Sequence, residues 1–339
     1  MVLALLQFSP AAAAETKPDP LFTSHETLNV EIEAPLRMLA EDRPDEEEFP
    51  GKLRYTEDDG RQLELDMVVR TRGRLRRSKE ICDFPPLRLN FRKSQLDGTL
   101  FDKQDKIKLV AHCGNSSHRY EQALLAEYLV YRVFNVLTDR SFNARLLNVT
   151  YVFSDADRTM ETFAVLIEDK DRLGKRLKAK TVNTQRVRVV DIEPANLNLT
   201  SVFQYFIGNT DFSPIAGPPD SECCHNQALF ERKHGLDITV PYDFDQSGFV
   251  NAPHAQPNSR FRLRSVRDRL YRGRCINNDV LPATLQFFQE RRGDIEAVVR
   301  SQPELARGKE KDILDFIAGF YETIADPDRV QSNLVNKCL

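Results

Sequence analysis

Residues Tyr120 to Leu137 read YEQALLAEYLVYRVFNVL. Apolar residues recur there at intervals of three and four, the period of an amphipathic helix. Before this stretch the period is two. Val30 to Leu36 (VEIEAPL) alternates as a half-buried strand does, and the acidic, proline-bearing Asp42 to Pro50 reads as a loop. Gly51 to Tyr55, Leu63 to Arg72, Leu87 to Phe91 and Lys106 to Ala111 form a strand meander, with Asp-Gly turns at 59–60 and 97–98. After the helix, Arg145 to Phe153 and Thr162 to Ile167 return to strand character, and Arg172 to Lys180 is a basic helix or turn. Leu197 to Ile207 reads as a buried helix, Thr210 to His225 as a polar loop, and Gln227 to Phe230 and Ile238 to Val240 as short strands. Pro282 to Arg291, Asp294 to Arg300 and Glu310 to Ala325 are helical. Strands first and helices last argue an α+β protein. A β-rich lobe over residues 29–168 and a mainly helical lobe over 169–339 would share a cleft within one domain, behind a flexible leader at 15–28.

With 339 residues the chain can bury a sizeable core. A net charge of −3 and the lack of interleaved aromatic and basic residues argue against a nucleic-acid partner. Two basic runs stand against that balance. Arg70 to Lys79 (RTRGRLRRSK) is either an anion contact or a solvated strand and turn. Arg267, Arg269, Arg272 and Arg274 read as a solvated helix face sooner than as a site for an acidic substrate. The first fourteen residues, MVLALLQFSPAAAA, have the apolar run and small residues of a secretory signal without its basic start, so export is expected. No segment reaches the roughly 18 apolar residues of a spanning helix, so no transmembrane segment is expected. Six cysteines suit an oxidising compartment and allow about 15 complete pairings. The adjacent Cys223 and Cys224 are expected to pair outward, one of them with Cys275. Their spacing does not suit structural zinc.

The chemistry concentrates in three segments: IGNTDF (207–212), HNQALF (225–230) and VPYDFDQSG (240–248). Each sets a carboxylate or amide beside apolar anchors, and such groups are costly to bury unless they bind something. Several converging oxygens suit a hard cation such as Mg²⁺, which completes its shell with water and phosphate oxygens. Phosphoryl transfer uses such parts in this order: an Asp for the attacking hydroxyl, an Asn for metal, and a later Asp for metal against the phosphates. Here those are Asp211, Asn226 and Asp243. Asp245 points away from Asp243 if the turn is extended, which makes Asp243 the primary ligand and Asp245 the secondary one.

The chain resembles the spore-coat protein CotH kinase family. The resemblance lies in Arg70-Thr71-Arg72-Gly73, the helix Tyr120 to Leu137 and the strand Ala164 to Glu168. It continues in Asn209-Thr210-Asp211, Asn226 and Pro241-Tyr242-Asp243-Phe244-Asp245. It implies an atypical protein-kinase-like fold and an exported, ATP-dependent kinase using Mg²⁺ or Mn²⁺ on exported proteins. On that reading Asp211 is catalytic and Asn226, Asp243 and Asp245 hold metal. Lys108, Glu127, Glu168 and Arg72 contact the nucleotide. Lys108 precedes Arg88 and Lys79 as the phosphate lysine, and Glu127 precedes Glu121 as its ion-pair partner. The turn Arg74-Leu75-Arg76 departs from the family's small polar residues, and Asn226 follows Asp211 by 15 positions, against five in the protein-kinase loop. Two alternatives remain: a pseudokinase or binding protein without turnover, and a metal-dependent hydrolase using Asp211, Asp243 and Asp245 with His225.

Overall fold

The computed structural model describes residues 18–114, 118–219 and 221–339. The elements, in chain order, begin with β1 (Leu28–Ala34), α1 (Leu36–Glu41), β2 (Phe49–Thr56), β3 (Gln62–Thr71), β4 (Leu87–Phe91) and β5 (Lys106–Val110). Helix α2 (His118–Leu137) precedes β6 (Ala144–Phe153) and β7 (Thr159–Ile167). Then come α3 (Lys170–Arg176), β8 (Ala179–Thr181), α4 (Pro194–Phe206), β9 (Gln227–Arg232) and β10 (Ile238–Pro241). Helices α5 (Leu281–Glu290), α6 (Arg292–Arg300), α7 (Arg307–Ile324) and α8 (Pro327–Asn333) complete the chain.

Strands β1 to β7 close into one mixed barrel in the order β1-β2-β3-β4-β5-β7-β6. This corrects the expected kinase-like arrangement of a β-rich lobe facing a mainly helical one: the sheet is a closed barrel and the helices mostly follow it. The physical reason is a pairing that local pattern does not reveal. Strand β1 runs parallel to β6, from Leu28 opposite Leu147 to Ala34 opposite Phe153, and so leaves the barrel sheet no free edge. The other barrel pairings are antiparallel.

Alternation explains the barrel core. Val30, Ile32, Leu53, Leu65, Val69, Leu89 and Leu109 point inward as one buried cluster. Strands β6 and β7 are apolar on both faces. Leu147, Val149, Tyr151, Ala164 and Leu166 fill the barrel, while Ala144, Leu146, Val165 and Ile167 join the second core around α2. Helix α2 also packs on α6 and buries residues around most of its circumference, so the expected amphipathic helix is a central one. The leader is packed where it is described. Leu21 and Phe22 enter the barrel core, and Asp19 pairs with Arg172 at 2.7 Å. The signal-like residues 1–14 lie outside the described residues.

A second, three-stranded sheet orders β10-β9-β8. Three disulfides join Cys82 to Cys113, Cys223 to Cys224 and Cys275 to Cys338. The expected outward pairing of the adjacent cysteines is therefore wrong, and Cys275 takes the C-terminal cysteine. The disulfides are compatible with export. No described helix is long and apolar enough to cross a membrane.

Candidate functional site

The β9–β10 hairpin builds the acidic side of the site. Its register sets Gln227 opposite Pro241, so the next residues outward, Asn226 and Tyr242, meet at the open end. The Tyr242 amide donates to the Asn226 carbonyl at 3.1 Å. Asn226 and Asp243 both take left-handed backbone conformations, with φ of 52° and 63°. Asn and Asp tolerate that region best among residues with a side chain beyond glycine. Phe244 is fully buried and pegs the turn against Tyr131 and Phe203, with ring centroids at 4.8 and 5.9 Å. The Asp243 amide donates to the Tyr131 hydroxyl at 3.0 Å, leaving the carboxylate 40 % exposed.

The third polar group arrives from the end of α4. Gly208, at φ +65°, leaves the helix where a Cβ would lie 2.9 Å from the Phe316 ring. Asn209 Oδ1 then accepts from the Asp211 amide at 2.8 Å, fixing the turn. The two Asp211 oxygens face His225 Nε2 at 2.8 Å and Asn226 Nδ2 at 3.0 Å; Nδ2 also donates to the Asp211 carbonyl at 2.8 Å. With its amide nitrogen so tied, Asn226 keeps Oδ1 clear of protein donors among the described residues.

Behind Asp243 lies a buried charge knot centred on Arg76. Its guanidinium meets Glu127 at 3.1 and 3.2 Å, Asp243 Oδ1 at 3.1 Å and Asp245 at 3.3 Å. Burial opposes the charge, but the three carboxylates hold Arg76 firmly protonated. Burial pushes the Glu127 carboxyl up to about 7, against the pull of Arg76. Partial burial also raises the Asp243 carboxyl, helped by Asp245. For Asp245 burial is outweighed by Arg76 and by His254 Nε2 at 2.8 Å, and its carboxyl falls to about 2. Asp245, expected as a secondary metal ligand, is thus committed to protein partners, unlike the more exposed Asp243.

The basic side comes from the barrel's outer face. Arg70, Arg88 and Lys108 are neighbours across β3, β4 and β5. Lys108 reaches over the Tyr242 ring, 5.2 Å from its centroid. Burial lowers its ammonium to about 8, reinforced by Arg72, while Asp169 and Asp243 pull the other way. Arg72 follows β3; burial lowers its guanidinium, Asp243 favours its charge, and no described carboxylate lies in ion-pair range. Lys79 is exposed beside a separate cavity of about 380 Å³ lined also by Arg37, Arg43 and Arg158.

Asp211, Asn226, Asp243, Lys108 and Arg72 are therefore brought to one region, and three expectations change. Glu127 takes Arg76 as its partner where Lys108 was expected. Glu168 is 2 % exposed and spent on structure: it pairs with Arg176 at 2.9 Å and accepts from the Asn143 amide and side chain at 3.0 and 3.1 Å. Arg267 pairs with Asp312 at 2.8 Å, and Arg269 and Arg272 donate to main-chain carbonyls, so these three are anchors of the fold. Sequence reading missed His254 and Tyr131 and named Arg76 only within a basic run and turn, not as the partner of the acids. Only Arg76 left a signal, since a buried glutamate on α2 requires a cation.

No described cluster of three or more His, Cys, Asp or Glu side chains is arranged to hold a metal alone. The donors fit a different demand. Mg²⁺ is commonly held by one or two carboxylates plus substrate phosphates, and Asn226 Oδ1 and the Asp243 oxygen that Arg76 does not meet would be the donors for such an ion. Comparison of the chain with protein-family models finds no match, and comparison with curated proteins finds none either. The case for function rests on the site itself.

Proposed function

We propose that this protein is exported and transfers the γ-phosphoryl group of ATP to a hydroxyl on a protein acceptor, with Mg²⁺ or Mn²⁺ bound at Asn226 and Asp243. One observation carries the reading: the open end of the β9–β10 hairpin sets Asn226 opposite Tyr242, the residue before Asp243, with Asp211 bonded to Asn226 and with Lys108 and Arg72 near the Asp243 charge. When bound, the divalent ion would neutralise phosphate charge and orient the terminal phosphoryl group.

The chain's own groups have separable tasks. Lys108 and Arg72 offset the charge of the polyphosphate from the barrel side. Asp211, held by His225 and Asn226, orients the acceptor hydroxyl and takes its proton. The acceptor oxygen bonds to the γ-phosphorus as the bond to the β–γ bridging oxygen breaks, and that electron pair leaves with ADP. Tyr131 and Phe244 fix the Asp243 backbone, so the carboxylate is placed before substrate arrives.

Incubation with γ-labelled ATP, Mn²⁺ or Mg²⁺ and a panel of Ser-, Thr- and Tyr-containing peptides tests the proposal. Label transfer that falls by about a thousandfold in Asp211→Asn is expected, since this replacement keeps the shape and removes the base. Transfer by Asp211→Asn at the wild-type rate would sink it. A second reading, nucleotide binding without turnover, draws support from Arg76, which already occupies one Asp243 oxygen. Nucleotide binding with no transfer to any acceptor would favour it.

A further inference from the structure

The basic cluster near the C-terminal helices divides into anchors and free groups. Arg267, Arg269 and Arg272 are anchored as described above. Just upstream, the segment Arg260-Phe261-Arg262-Leu263-Arg264 exposes its three arginines. Arg264 has its side chain 94 % exposed and only a loose approach to Asp268 at 4.0 Å. Among the described residues, no carboxylate comes within ion-pair range of Arg260 or Arg262. Three solvent-facing guanidiniums sharing one loose acid are conspicuous in a chain whose net charge is −3.

This ridge is tied to the loop that carries Asp211. The Phe261 ring lies 4.7 Å from the Arg272 guanidinium, which lies 4.8 Å from the ring of Phe212, the residue after Asp211. Arg272 also donates to the carbonyls of Thr210 and Phe212 at 2.9 and 2.6 Å. Asn258 caps the turn at Ser259 by accepting from the Arg260 amide at 3.1 Å, and its Nδ2 donates to the Thr210 carbonyl at 3.4 Å. Free positive charge is thereby fastened beside the aspartate that would receive an acceptor hydroxyl.

We propose that Arg260, Arg262 and Arg264 form a docking ridge for an acidic peptide, which presents its hydroxyl residue to Asp211. The acceptor role rests on the phosphotransfer reading; the binding does not. Arginine forks match carboxylates in pairs. Half-buried Phe261 and Leu263, alternating with the arginines, offer apolar contact to peptide side chains. A nucleic acid fits less well, because the ridge presents no fully exposed aromatic face for base stacking.

The test is fluorescence anisotropy without nucleotide, using a labelled Glu/Ser peptide, its Lys/Ser counterpart and a short single-stranded DNA. The full chain is compared with Arg260→Ala/Arg262→Ala/Arg264→Ala and with the matching triple Glu variant. All three positions are exposed, so folding is expected to be kept, and circular dichroism checks it. The Glu peptide should bind and the Lys peptide should not. Affinity should fall about tenfold in the Ala variant, as three screened pairs are lost, and the Glu variant should prefer the Lys peptide. Equal binding of the Glu peptide by wild type and both variants overturns the ridge, as does tighter binding of the DNA. Label transfer from ATP to the Glu peptide should then show a raised KM and an unchanged kcat in the Ala variant. Peptide binding with no transfer to any acceptor leaves the ridge and removes phosphotransfer; transfer with wild-type KM in both variants does the reverse.

Discussion

Glu168 follows β7 and Asp243 follows β10, and both read as site acids in the sequence, yet the fold treats them oppositely. Glu168 has its two oxygens filled by Arg176 and Asn143 and lies 2 % exposed. Asp243 sits in a left-handed turn, shares one oxygen with Arg76 and keeps its carboxylate 40 % exposed. A fully buried carboxylate with both oxygens filled holds structure, whereas a partly exposed one, fixed in an unfavourable backbone conformation with an oxygen to spare, is poised for a ligand. That difference can be broken by mutation.

The largest separation is expected in catalysis. Asp243→Ala should reduce phosphoryl transfer by about a thousandfold, while Glu168→Gln should keep transfer within about threefold, as measured with γ-labelled ATP. Equal losses would mean that both acids serve the site. Stability should separate them the other way. Glu168→Ala takes the buried carboxylate partner from Arg176 and should cost about 3 kcal/mol in urea unfolding. Arg76→Met should cost a similar amount, about 3 kcal/mol, because it leaves Glu127 and Asp245 buried without their cation.

The smallest effect concerns Lys108. Its ammonium, lowered to about 8, carries charge at pH 7 and loses it by pH 9. ATP affinity measured by calorimetry should therefore fall by up to about tenfold across that interval and stay flatter in Lys108→Arg. The unliganded protein should respond with the opposite sign. A lysine whose folded value is depressed binds its proton less well than the unfolded chain does. Its contribution to stability therefore rises as pH climbs from about 8 toward the ordinary 10.5.

Much of the local structure was legible before the fold was known. Leu87 to Phe91 alternates so cleanly that its ends match β4, and the two polar ends of the β9–β10 hairpin were marked by Asn226 and Asp243. What stayed hidden depends on distant partners. The parallel pairing of β1 with β6 joins residues more than a hundred positions apart, and nothing in either strand announces it. The partner of Glu127 was hidden for a related reason: the chain turns at Gly73, with φ +87°, and returns Arg76 to α2. Cys82 and Cys113 meet across the β3–β4 loop and the end of β5, a pairing no spacing rule selects.

Thermal unfolding tests most directly whether Asp243 is part of a nucleotide site. Thermal unfolding of the chain should be followed with ATP and Mn²⁺ together, and with each alone, for wild type and Asp243→Ala. At 100 times its Kd, a ligand of the folded state adds about 2.7 kcal/mol of stability, which gives a clear rise in Tm. The prediction is a rise for wild type with ATP and Mn²⁺ together, and none for Asp243→Ala. No rise in wild type, or an equal rise in both proteins, would contradict it.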